Sequence, residues 1–95
     1  EIYTLSLHDA LPISSLPFTL GYMAQGELQR TVGANLRAWR QARGLSQEAF
    51  AEVLGVHRTY MGGVERGERN LTLRSLERIA EVLEVDPREL LKPVG

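Results

Sequence analysis

The sequence predicts an all-α fold of five short helices, and three kinds of observation carry that prediction. Apolar residues recur at intervals of three and four from Val32 onward, the spacing that lines one side of a helix. Glycines stand where those runs stop, at Gly44, Gly55 and Gly67, and glycine readily takes the left-handed conformation that ends a helix. Ser46, Thr72 and Asp86 precede the runs that follow, and their short side-chain oxygens suit an N-cap, where they accept an orphan backbone N–H.

The first helix is expected over roughly Thr31 to Ala42, where Val32, Leu36 and Trp39 form the apolar stripe. Trp39, the single tryptophan, reads as a core anchor. The second helix spans Gln47 to Leu54 behind the Ser46 cap, and the third runs from Arg58 to Glu65 or Arg66. The fourth covers Leu73 to Leu83, with Leu73, Leu76, Ile79, Ala80 and Leu83 on its apolar face. A last short helix begins at DPREL: Asp86 caps it, Pro87 takes the first helical position and Glu89 completes a capping box.

The segment Gln47 to Arg66, QEAFAEVLGVHRTYMGGVER, organises the rest. Phe50, Leu54, Val56, Met61 and Val64 are apolar, Ala51 is small enough for close approach, and Gly55 makes the turn. Together these mark a helix-turn-helix. Between the apolar positions of its second helix lie His57, Arg58, Thr59, Gly62, Gly63 and Arg66, a polar or bare face that is the candidate functional surface. The Gly62-Gly63 pair costs a helix on the order of 1 kcal/mol per residue relative to alanine, so a bare backbone passing close to DNA is the expected return, with discrimination left to Arg58 and Thr59. Gln47, in the first turn behind Ser46, is placed to donate to a phosphate together with the helix N-terminus.

Charge is distributed unevenly. The chain has 95 residues and a net charge of −1. From Arg30 to Arg74 there are eight arginines against four glutamates, whereas Ser75 to Gly95 carries three basic and five acidic residues. A local basic surface is what reaches phosphate, whatever the whole-chain sum. There is no cysteine, which removes disulfides and thiolate metal sites. No apolar run approaches a membrane span, so a cytoplasmic location is expected, and no cofactor or small-molecule effector is evident. An enzyme is not indicated: there are two histidines, no phosphate-binding glycine loop and no carboxylate pair in a pocket pattern. Glu48 and Glu52 read as a solvated i, i+4 pair.

The N-terminus is a separate matter. Glu1 to Ser14, EIYTLSLHDALPIS, resembles the in-frame translation of a short-read sequencing adapter, codon by codon through Ile13. Such a segment is excluded from fold reasoning, and Ser6, His8 and Asp9 are not taken as a catalytic triad, which is defined by three-dimensional roles. Residues 15–22 read as leader before Met23. The expectation is one domain over residues 23–95 with its core in 31–91.

The run from Asn35 to Leu90, with GLSQ before the turn motif, ERG after it and VDP at the last cap, resembles the Cro/C1-type (XRE-like) helix-turn-helix domain over Gly33 to Leu91. Within that family HRTYMGGVERGERN is similar to the controller proteins of restriction-modification systems. The resemblance implies a five-helix, lambda-repressor-like domain that regulates transcription by binding specific double-stranded DNA as a homodimer on a pseudo-palindrome, its third helix in the major groove. It implies that Gln47 anchors phosphate, that Arg58, Thr59 and Gly63 face base edges, and that Arg69 and Asn70 reach the backbone or groove from the next loop. With His57, Tyr60, Gly62 and Arg66 these make the candidate DNA-binding set. Arg40 and Glu65 match a structural ion pair. Two positions depart from the family pattern: His57 stands where Ser or Thr often caps, and Gly63 replaces a side chain that commonly reads a base. The expected dimer contact is the end of the fourth helix with the last one, around Val85, Leu90 and Leu91. The rival reading is a protein-interaction module, such as an antitoxin or adaptor fragment with the same fold.

Overall fold

In the computed structural model, which describes residues 25–94, the first helix starts well before the apolar stripe that announces it. α1 spans Glu27–Ala42, α2 Gln47–Leu54, α3 Arg58–Glu65 and α4 Leu73–Leu83, followed by a 3-10 turn at Pro87–Leu91. Among the described residues there is no strand. These residues hold four α-helices and, where a fifth was expected, the tighter 3-10 form. The adapter-like stretch, the leader and Met23 lie outside the described residues.

Side-chain caps set the starts of α2, α3, α4 and the 3-10 turn. Ser46 accepts the N–H of Ala49 at 3.0 Å, and Thr72 accepts that of Ser75 at 3.0 Å. The imidazole of His57 does the same work for α3, its Nδ1 accepting the Thr59 N–H at 3.0 Å. At the 3-10 turn Asp86 accepts from Arg88 N–H at 2.9 Å. Glu89, expected to complete the capping box, pairs instead with Lys92 Nζ at 2.9 Å. The early start of α1 has no side-chain cap at Gly26. Its first turn is held by the far side of the fold, where Gln29 Nε2 donates to the Arg69 carbonyl at 2.8 Å.

Leu36, Phe50 and Met61 are wholly buried, with Val32, Leu54, Val64, Leu76, Ile79, Ala80, Leu83 and Leu90 around them. Each of these side chains except Ala80 contributes roughly 1.5–3 kcal/mol of transfer free energy. α1 packs on α3 and on the 3-10 turn, and α2 packs on α3 and α4. Two polar ties reinforce this. Asn35 Nδ2 donates to the carbonyls of Leu90 at 2.8 Å and Lys92 at 2.7 Å, and Arg78 Nη2 donates to Leu54 O at 3.0 Å, satisfying an end carbonyl of α2. Trp39 borders the core, stacked on Phe50 at 5.4 Å between centroids, with the Arg43 guanidinium over its ring at 3.7 Å. Of the residues expected around the dimer contact, Leu90 is at 4% exposure a core residue of the monomer, its carbonyl held against α1 by Asn35. Val85 and Leu91 remain half-exposed.

Candidate nucleic-acid interface

α2 and α3 meet across Gly55, whose φ of 71° ends α2 and lets the chain turn into α3 within three residues. This sets the start of α2 beside the outer face of α3. Beneath that junction lies one carboxylate. Glu65, its side chain only 3% exposed, receives Arg40 Nε at 2.7 Å and Arg40 Nη2 at 3.0 Å, a two-pronged contact. Arg40 Nη1 also donates to Leu45 O at 2.9 Å. One arginine thus joins α1, the α1–α2 turn and the end of α3.

Gln47 takes part in the same network. Its Nε2 donates to Glu65 Oε1 at 3.0 Å, so the amide expected to serve a phosphate is partly committed inward. A phosphate at the start of α2 would meet the second N–H on that nitrogen and the unpaired backbone N–H groups of the first turn.

Arg58 and Thr59 open α3 and are exposed, and Tyr60 is half-buried. Gly62 and Gly63 are both buried, which overturns the expectation of a bare solvent face. A Cβ at Gly62 would stand 3.2 Å from Arg66 Nη1 and 3.5 Å from Gln47 Oε1, and one at Gly63 would stand 3.1 Å from Arg69 Nε. The two arginines lie folded over the glycines. Space that a side chain would fill is taken by guanidinium groups that arrive from the end of the helix and the next loop.

The loop between α3 and α4 is set from several sides. Glu68 N–H donates to Gly63 O at 2.8 Å, continuing the turn of α3. Arg69 lies over the Tyr60 ring at 5.1 Å, a cation–π distance, while Gln29 holds its carbonyl from behind. Arg66 is paired with Glu68, Nε to Oε2 at 3.1 Å, each side chain 60% exposed. Asn70 is exposed beside them. The predicted set of Gln47, Arg66 and Arg69 therefore converges on the Gly62-Gly63 side of α3, and Arg58 and Thr59 lie one turn earlier. Gln29 and Glu68 were not singled out from sequence. Neither stands at helical spacing from its partner, so no periodicity marks them.

The arrangement offers donors and cations and little acid or base. Among the described residues no group of His, Cys, Asp and Glu could hold a metal ion, and no helix is long and apolar enough to cross a membrane.

Comparison with known proteins agrees with this geometry. The family model HTH_3, described as Helix-turn-helix, matches residues 36–90. The control protein C.SmaI of Serratia marcescens is 42% identical over 69 residues, 73% of this chain and 82% of its own length. The crystal structure of the restriction-modification controller protein C.AhdI from Aeromonas hydrophila superposes with a TM-score of 0.58 at 47% identity, covering 65% of this chain and 94% of that one. The hypothetical transcription factor NHTF from Neisseria superposes at 0.64 with 34% identity, over 83% of this chain and 88% of its own.

Proposed function

The chain belongs to the HTH_3 helix-turn-helix family, and we propose that it works as a controller of the restriction-modification kind, as the likeness to C.SmaI and C.AhdI supports. It is a sequence-specific DNA-binding transcriptional regulator and not an enzyme. α3 enters the major groove with Arg58 and Thr59 leading, and α2 crosses the backbone. Arg58 reads guanine through O6 and N7. Gln47 and the first turn of α2 take one phosphate; Arg66, Arg69 and Asn70 take the backbone or groove on the other side. His57, Tyr60, Gly62 and Gly63 shape this face without reading bases themselves. The observation that carries the reading is the convergence of Gln47, Arg66 and Arg69 on the glycine side of α3, one turn from exposed Arg58 and Thr59.

One module of this size reads few base pairs, so a homodimer on a pseudo-palindrome belongs to the proposal. We place its contact at the C-terminal end of α4 and the 3-10 turn, on Val85 and Leu91, with Val82 at 42% exposure in place of Leu90. This end of the molecule carries five acidic against three basic residues from Ser75 onward and so stays away from phosphate. Mass action couples dimerisation to DNA binding, which suits control by the regulator's own concentration. Cytoplasmic residence follows from the same reading.

Selection of bound sites from random DNA with residues 23–95, at two salt concentrations, tests it. Enrichment of an inverted repeat with half-sites about one helical turn apart is the expected outcome. Salt-sensitive retention without a motif would reduce the face to a generic basic surface. Loss of all retention would favour the protein-interaction reading.

A further inference from the structure

We propose that Glu68 is an internal stand-in for DNA phosphate: in the free protein its carboxylate holds the Arg66 guanidinium against Gly62, and DNA must displace it to engage that arginine. The inference rests on the assignment of the α3 face to DNA.

Three observations carry it. First, the pair is built to form without help from elsewhere. A single residue, Gly67, separates Arg66 from Glu68 along the chain, and the Glu68 N–H is bound to Gly63 O at 2.8 Å, so the loop backbone delivers the carboxylate to the end of α3. Second, the arginine is not idle on the surface. Its Nη1 lies at the position that a Gly62 side chain would crowd, 3.2 Å away, close to Gln47, so the paired conformation covers the part of α3 that would face the duplex. Third, Glu68 is out of keeping with its setting. Between His57 and Leu76 there are four arginines and two glutamates; Glu65 is buried on Arg40, which leaves Glu68 as the exposed carboxylate of the segment.

The chemistry follows from these contacts. A guanidinium offers the same donors to a carboxylate as to a phosphate, so the two compete for Arg66. Arg66, through its hydrogen bond and then its charge, holds the Glu68 carboxyl below the usual carboxylate range, and a glutamate is ionised under neutral conditions even without that shift. Phosphate contacts are sequence-independent. The exchange therefore weakens attachment to DNA of any sequence while leaving the Arg58 contact to base edges unaltered.

The test uses the whole chain and a short random-sequence duplex, titrated at several salt concentrations, with wild type, Glu68→Gln, Arg66→Ala and the double variant. Glu68→Gln should bind about two- to fivefold more tightly at low salt, the range set by an exposed ion pair, with an unchanged melting midpoint. In the Arg66→Ala background the same substitution should give a clearly smaller gain. Equal or weaker binding by Glu68→Gln overturns the proposal, because the carboxylate would then be orienting Arg66 for DNA. An equal gain in both backgrounds also overturns it, leaving Glu68 as a general repulsive charge. If wild type fails to bind any duplex, the DNA assignment itself falls, and this control separates that failure from the others.

Discussion

Arg58 and His57 adjoin each other and have different duties. The ring of His57 is an acceptor at Nδ1, a role open to it only while that nitrogen carries no proton; it replaces the hydroxyl usual at such a cap with a longer, planar group. Arg58 is exposed in the first turn of α3. Arg58→Ala is expected to relax preference at one base pair per half-site and to cost about 1–3 kcal/mol of DNA affinity, measured by binding to the selected site and to single-base variants of it. An unchanged profile would remove Arg58 from the readout. At this scale the sequence was read well where a residue acts through its neighbours in the chain, as Ser46, Thr72 and Asp86 do. Gly62 and Gly63 were read wrongly, because nothing in the order of residues says that Arg66 and Arg69 fold back over them.

The boundaries of α2, α3 and α4 follow from caps and glycines, and they fall where the sequence places them. α1 does not start where predicted, since its added turn buries little, Leu28 being 48% exposed, and so adds nothing to the apolar stripe. What α1 requires in its interior is closeness. A Cβ on Gly33 would stand 2.7 Å from Glu65 O, so Gly33→Ala is expected to separate α1 from α3 and cost about 1–3 kcal/mol, seen as a lower urea midpoint. The 3-10 turn carries a pH response. Asp86 is held down to about 2 by the side-chain hydrogen bond from Arg88 and then by the Arg88 N–H, against an ordinary 3.8. A depressed carboxyl stabilises the folded form above its ordinary value and loses that contribution as pH falls through the depressed one. The turn should therefore loosen between about pH 4 and pH 2, with the Arg88 amide resonance reporting it, and Asp86→Asn should abolish that transition.

Across the molecule the Arg40–Glu65 pair does what no single helix does. It fastens α1, the α1–α2 turn and the end of α3, and through Gln47 it also fixes the start of α2. Arg40→Ala would leave the Glu65 carboxylate buried without its cation, which is expected to cost about 3–5 kcal/mol in an unfolding titration. DNA affinity should fall with it even at temperatures where the variant is folded, because Gln47 loses the partner that orients its acceptor.

Among the described residues the sequence by itself determined the places of α2, α3 and α4, the caps, the helix-turn-helix and the basic bias of the segment around it. These are local properties: spacing, left-handed turns and short-range hydrogen bonds are set by residues within a few positions of one another. The inward turn of Leu90, the early start of α1 and the covering of Gly63 by Arg69 were decided only by tertiary structure. Each depends on which distant backbone or side chain arrives beside the residue. Asn35 meets Leu90 across 55 positions and Gln29 meets Arg69 across 40; packing brings such groups together, and no periodicity records it.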